Sequence, residues 1–274
     1  MVAGPPQPPH GDVAASPATA FRRRWDAVQG LRLHARVSSL PPARPGLPLV
    51  LVPGLGLSGR YLLPTARLLA PQYRIYLPDP PGFGLSAGPR QALTVAGLAD
   101  ALVAWMDAVD LERAAFLGNS MGCQVIIALA ARCPQRVTRV VLNSPTIDRA
   151  ARTALRQIWR VLRDVPRETP TQNVVVATDY LRAGVPRIWR TLGAALADPV
   201  AETLPHVAAP ALVVRGSRDP IVPRPWAQEV ARLLPQGRYV ELPGAPHTAP
   251  YSTPAAFVRI VQPFLAEAGS ERAL

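Results

Sequence analysis

The chain has 274 residues, 49% hydrophobic and 18% charged, which suits one large α/β domain with a real core and excludes wholesale disorder. No apolar run approaches the roughly 18 residues needed to cross a bilayer. Its net charge of +12 rests on thirty basic residues, all of them Arg; they are spread along the chain without a dense run, aromatic interleaving or a known motif, so no nucleic-acid partner is expected.

Met1–Ala20 holds five prolines and neither Lys nor Arg. It lacks the basic and apolar regions of a secretory signal, and is expected to be a disordered Pro-rich tail on a cytoplasmic protein. Phe21–Val28 and Leu31–Val37 read as two strands around a Gln29-Gly30 turn. Beyond Pro41–Pro48, Leu49–Val52 is wholly apolar, as in a strand buried on both faces of a parallel sheet. The Gly-rich loop Gly54–Gly59 leads to a helical pattern over Tyr61–Ala70. Tyr73–Leu77 is the next strand and runs into Asp79-Pro80-Pro81-Gly82-Phe83-Gly84-Leu85-Ser86.

Thr94–Val109 predicts a helix capped by Thr94, Ala114–Leu117 a strand, Met121–Arg132 a helix stopped near Pro134, and Val137–Leu142 a strand. The alternation then gives way to a helical stretch, residues 148–206, rich in Arg and Trp. It resumes with strand Ala211–Arg215, helix Trp226–Leu234, strand Arg238–Leu242 and helix Pro254–Leu265. Repeated β-α-β units predict a mostly parallel sheet with helices on both faces. The core would span residues 21–147 and 207–274, with residues 148–206 as a helical cap over the sheet's C-terminal edge. Cys123 and Cys133 fall ten residues apart on one expected helix; at ~1.5 Å per residue they are about 15 Å apart and cannot pair. Both are expected as reduced core residues, and no metal-ligand spacing occurs.

Gly118-Asn119-Ser120-Met121-Gly122 lies between a short strand and an apolar helix, the setting a G-x-S-x-G nucleophile elbow requires. So tight a turn leaves no room for side chains at its flanks, and it holds Ser120 at a positive helix terminus. A serine hydroxyl needs a base, and the base an orienting acid. Of four histidines, His10 lies in the tail, His34 in an early strand and His206 at the end of the cap. Only His247 follows Ser120 on a loop beyond a late strand. Asp219 follows the strand Ala211–Arg215, at the sheet edge where open α/β sheets place their sites. Asp148, after the preceding strand, competes for the acid's role, and Asp79 is expected to brace its own Pro-Gly turn. The backbone N–H groups of Met121 and Leu55 are the expected oxyanion donors. Gly54, Asn119, Trp159 and Trp189 are expected to contact substrate.

In Gly54–Gly56, Asp79–Ser86, Gly118–Gly122, Asp219 and His247 the chain resembles the α/β-hydrolase superfamily, from about Phe21 to the C-terminus. The resemblance implies an eight-stranded sheet, a lid between strands six and seven, no cofactor and the order Ser, Asp, His that Ser120, Asp219 and His247 follow. The usual His-Gly start of the oxyanion loop is Pro53-Gly54 here. The elbow's wording also resembles the meta-cleavage-product C–C hydrolases, whose Ser-Gly-Pro-Gly-like loop and Trp after the histidine are replaced by Gly-Leu-Gly-Leu-Ser and Tyr251. Serine at the elbow separates the chain from relatives that use Asp there, the haloalkane dehalogenases and epoxide hydrolases.

Arg149, Arg152, Arg156, Arg160 and Arg163 recur every three or four residues, opposite Leu155, Ile158, Trp159 and Leu162. This predicts a lid helix with its apolar face on the sheet domain and its arginines in water. The alternative is a basic rim that recruits an anionic substrate or membrane surface. The expected function is hydrolysis of a small carboxylic ester through an acyl-enzyme, by a monomer or homodimer without cofactor or metal. A C–C bond, lactone or thioester substrate for the same residues remains open, and so does a non-catalytic binding role.

Overall fold

The computed structural model describes residues 21–39 and 48–267; the expected tail, with His10, lies outside them. Eight strands form one sheet: β1 (Phe21–Val28), β2 (Leu31–Ser38), β3 (Leu49–Val52), β4 (Ile75–Pro78), β5 (Ala114–Asn119), β6 (Val137–Asn143), β7 (Ala211–Gly216) and β8 (Gly237–Leu242). Their order is β1-β2-β4-β3-β5-β6-β7-β8, and only the β1/β2 and β2/β4 pairings are antiparallel.

The helices are α1 (Leu63–Leu69), α2 (Val95–Ala108), α3 (Met121–Arg132), α4 (Ala154–Asp164), α5 (Pro170–Ala183), α6 (Val185–Ala197), α7 (Val200–Thr203), α8 (Arg224–Leu233), α9 (Ala249–Ser252) and α10 (Pro254–Ala266). The helix expected over Tyr61–Ala70 begins as a 3-10 turn, Gly59–Leu62, and becomes α-helical just before Pro64, whose fixed φ suits a first turn. Thr94 caps α2 as expected, its hydroxyl accepting from the Gly97 N–H at 3.1 Å. Cys133 falls just beyond α3 and is half-buried, not a core residue; only Cys123 is fully enclosed.

The central strands are covered on both faces, as their unbroken apolar runs require. Val50, Val52 and Phe116 pack with α2, α3 and α8 on one side. Leu49, Leu51 and Leu117, pointing the other way by the strand's two-residue period, pack with α1 and α10. Asp79 braces its turn by accepting from Leu85 N–H at 2.9 Å, and also binds Gly59 N–H and the ring of buried His34 at 2.8 Å each. Among the described residues, no helix is long and apolar enough to cross a membrane.

Helices α4 to α7 lie between β6 and β7, and α4 corrects an expectation. Of the residues expected to face the sheet domain, Leu155 is 78% exposed and Trp159 61%, while Ile158 and Leu162 border a cavity. The stripe turned inward is Gln157, Arg160 and Asp164, spaced three and four apart. The reason is the supply of acceptors beneath it. Arg160 donates to Asp148 at 2.7 Å and to Ile221 O at 3.0 Å, and Gln157 to Ala151 O at 2.6 Å. Arg149, Arg152, Arg156 and Arg163 remain exposed.

Candidate active site

Ser120 stands between β5 and α3 with φ 56° and ψ −125°, a strained conformation for a residue with a side chain. Two neighbours make the turn possible. A Cβ on Gly122 would come within 2.4 Å of Val52 O, and one on Gly118 within 2.9 Å of Cys123 N. Only glycine fits at either place. The loop after β3 lies against the serine, since a Cβ on Gly54 would be 3.3 Å from the Ser120 Cβ.

His247, on the loop after β8, is buried, and its Nδ1 lies 2.9 Å from Asp219 Oδ2. The other Asp219 oxygen accepts from the N–H groups of Ile221 at 2.7 Å and Val222 at 3.1 Å. Burial alone would lower the His247 pKa. The charge and hydrogen bond of Asp219, with Asp164 and Glu168 nearby, outweigh it and raise the value to about 9. Burial likewise pushes Asp219 up, and the His247 charge and hydrogen bonds hold it below the usual carboxylate value. Asp148 is engaged elsewhere, by Arg160 and by the Ala150 N–H at 2.8 Å.

Ser120 and His247 border one cavity of about 290 Å³. Gly54, Leu55, Met121 and Trp189 line it too, and Ile158, Val161, Leu162, Val176, Ile188 and Leu192 make it largely apolar. Asn119 also borders it, but its amide is committed: Nδ2 donates to Asn143 O at 3.3 Å and His247 O at 3.4 Å, and Oδ1 accepts from Tyr61. Those bonds make Asn119 a brace between the elbow and the histidine loop. Trp159 is not among the lining residues and is 61% exposed.

Sequence reasoning missed the carboxylates of the inserted helices. Glu168 accepts from the Thr248 N–H at 2.6 Å and from the Ser252 hydroxyl. Asp179, wholly buried, accepts from the Ser58 N–H at 2.9 Å and hydroxyl at 2.7 Å, and pairs with Arg60 at 2.8 Å. Asp164 lines the cavity, and burial first, then Glu168 and Asp219, raise its pKa to about 7 against the pull of His247. No local signal marks these residues, whose partners lie about a hundred positions away in the chain. Among the described residues, no cluster of His, Cys, Asp and Glu could hold a metal ion.

Residues 49–260 match the model of the alpha/beta hydrolase family. The proposed carbamate hydrolase RutD of Yersinia enterocolitica is 28% identical over 79% of this chain and 86% of its own. The 2-hydroxymuconate semialdehyde hydrolase of Pseudomonas sp. strain CF600 is 28% identical over 81% of this chain and 88% of its own. The crystal structure of the enol-lactonase from Burkholderia xenovorans LB400 superposes with a TM-score of 0.74, at 26% identity, over 89% of this chain and all of that one. The chain belongs to the alpha/beta hydrolase family.

Proposed function

We propose that the protein is a serine hydrolase that cleaves a small carboxylic ester through an acyl-enzyme. The observation that supports this best is that strained Ser120 and His247, itself 2.9 Å from Asp219, border the same cavity. Ser120 Oγ attacks the carbonyl carbon as His247 Nε2 takes its proton, and Asp219 stabilises the imidazolium. The tetrahedral oxyanion accepts from the N–H groups of Leu55 and Met121. Its collapse breaks the ester C–O bond, and the alcohol leaves with the proton from His247. Water, deprotonated by His247, then attacks the acyl carbon and releases the acid and free Ser120. Residues 148–206 act as the cap that closes the apolar cavity.

The same residues could open a C–C bond beside a ketone, a reading that the 2-hydroxymuconate semialdehyde hydrolase among the relatives supports. The carbamate relative supports a carbamate substrate for the same residues. Hydrolysis of p-nitrophenyl esters with acyl chains of two to twelve carbons, wild type beside Ser120→Ala, tests the ester reading. Turnover lost in the variant supports it, and the preferred chain length sizes the cavity. No turnover of any ester by the wild type contradicts it.

A further inference from the structure

Most polar side chains around the cavity are satisfied: Tyr61 and Asn119 bind each other, Gln157 binds Ala151 O, and Thr146 binds Gln124. Three are not. Asp164 Oδ1, Gln172 Oε1 and Thr248 Oγ1 have no hydrogen-bond partner, in residues only 5%, 3% and 5% exposed. All three residues line the cavity. They are brought there by separate elements: Asp164 from the end of α4, Gln172 from the first turn of α5, and Thr248 from the position after His247.

An unpaired buried polar atom is costly, and native proteins keep few without a reason. Three around one cavity, beside the reacting groups, form a built polar subsite in an otherwise apolar pocket. The chemistry of its partner follows from the donor inventory. A carboxylate oxygen and an amide oxygen accept, and a threonine hydroxyl accepts or donates. Above about pH 7, where Asp164 is ionised, the ligand must bring the hydrogen.

We propose that Asp164, Gln172 and Thr248 form a specificity subsite for a hydrogen-bond donor, a hydroxyl or amide N–H, on the substrate. It rests on the serine-hydrolase reading for its place beside the reacting bond, and adds a substrate class: acyl compounds that are apolar in the main but carry a donor. A substrate donor that reaches these oxygens supplies the bonds they lack. A purely aliphatic chain strands them. Gln172 needs a polar partner whichever way its amide faces.

The test is calorimetric binding of three esters to the Ser120→Ala protein: methyl hexanoate, methyl 3-hydroxyhexanoate and methyl 6-hydroxyhexanoate. The two hydroxyl positions bracket the near and far ends of the chain. One hydroxy ester should bind about five- to tenfold more tightly than methyl hexanoate, and Thr248→Val or Gln172→Leu added to Ser120→Ala should bring that ratio towards one. Equal or weaker binding of both hydroxy esters would overturn the proposal, because an unrecognised hydroxyl only pays desolvation. The same two substitutions should leave the melting temperature unchanged or raise it, since the oxygens they delete hold no partner. A fall of more than about 4 °C would mark the groups as structural and likewise overturn it. Failure of the serine-hydrolase reading has a separate signature, wild-type protein that releases methanol from none of the three esters.

Discussion

Glu168 on the insertion accepts from the Thr248 N–H at 2.6 Å, so the inserted helices hold the loop that carries His247. Glu168→Ala would leave that buried N–H unpaired, at a cost of about 1–3 kcal/mol. It would also free the imidazole to drift from Ser120. Urea unfolding should register the loss of stability. Steady-state kinetics should show kcat down roughly ten- to a hundredfold, as small misplacements of catalytic groups cost, with a smaller change in KM.

Asp219, not Asp148, is the acid at the His247 ring. Asp219→Asn should cut kcat on a p-nitrophenyl ester by roughly ten-thousandfold, the scale seen when a histidine loses its orienting carboxylate. Asp148→Asn should leave kcat within a few-fold. Its effect should fall on thermal stability, through the lost charge on the Arg160 pair. The opposite ranking of the two kcat values would move the acid's role to Asp148.

In the proposed mechanism His247 must be neutral to accept the serine proton, and its pKa is raised to about 9. Activity should therefore climb with pH well above the ordinary histidine range. The groups facing the ring are Asp219, Asp164 and Glu168; a negative neighbour favours the imidazolium, so removing one lowers the pKa. Asp164→Asn should shift the rising limb of the kcat/KM profile to lower pH. The same substitution has a stability signature. The raised pKa of Asp164 means its folded-state contribution is fully present below the unfolded value near 3.8 and is lost as pH rises through about 7. Asp164→Asn should thus stabilise the protein more at pH 8 than at pH 4, measured by urea unfolding at both.

The exposed face of α4 makes a prediction opposite to that of a buried one. Leu155→Ser and Trp159→Ser should each change stability by no more than about 0.5 kcal/mol, the usual range for surface positions. Arg160→Ala, which strands Asp148 and Ile221 O, should cost clearly more. If these two side chains were packed on the sheet, each truncation would cost about 2–5 kcal/mol, and denaturant midpoints separate the two cases.

The difference between what could and could not be read from the residues is one of range. The strand, turn and helix around Ser120 are legible because their constraint is local: Gly118 and Gly122 stand where any Cβ would strike backbone or near neighbours. The sheet is legible because runs such as Leu49–Val52 suit only a strand covered on both faces. Amphipathicity in α4 defines two faces but not which one turns inward; that was decided by Asp148 and the carbonyls of Ala151 and Ile221, which face the Arg160 side. Glu168 with Thr248, and Asp179 with Ser58, are out of reach for the same reason. Each pair exists only once the insertion has docked over the sheet edge.

Nucleophilicity of Ser120 is the claim on which the rest depends, and an alkyl fluorophosphonate tests it without assuming a substrate. The reagent's phosphorus is attacked by an activated serine Oγ and loses fluoride, leaving a stable covalent mark. Incubation of the wild type at pH 8, proteolysis and peptide mass spectrometry should find one equivalent of label on Ser120. None should appear in Ser120→Ala, and labelling should be greatly slowed in His247→Ala. A wild-type protein that remains unlabelled, or carries the label on another residue, would contradict the account.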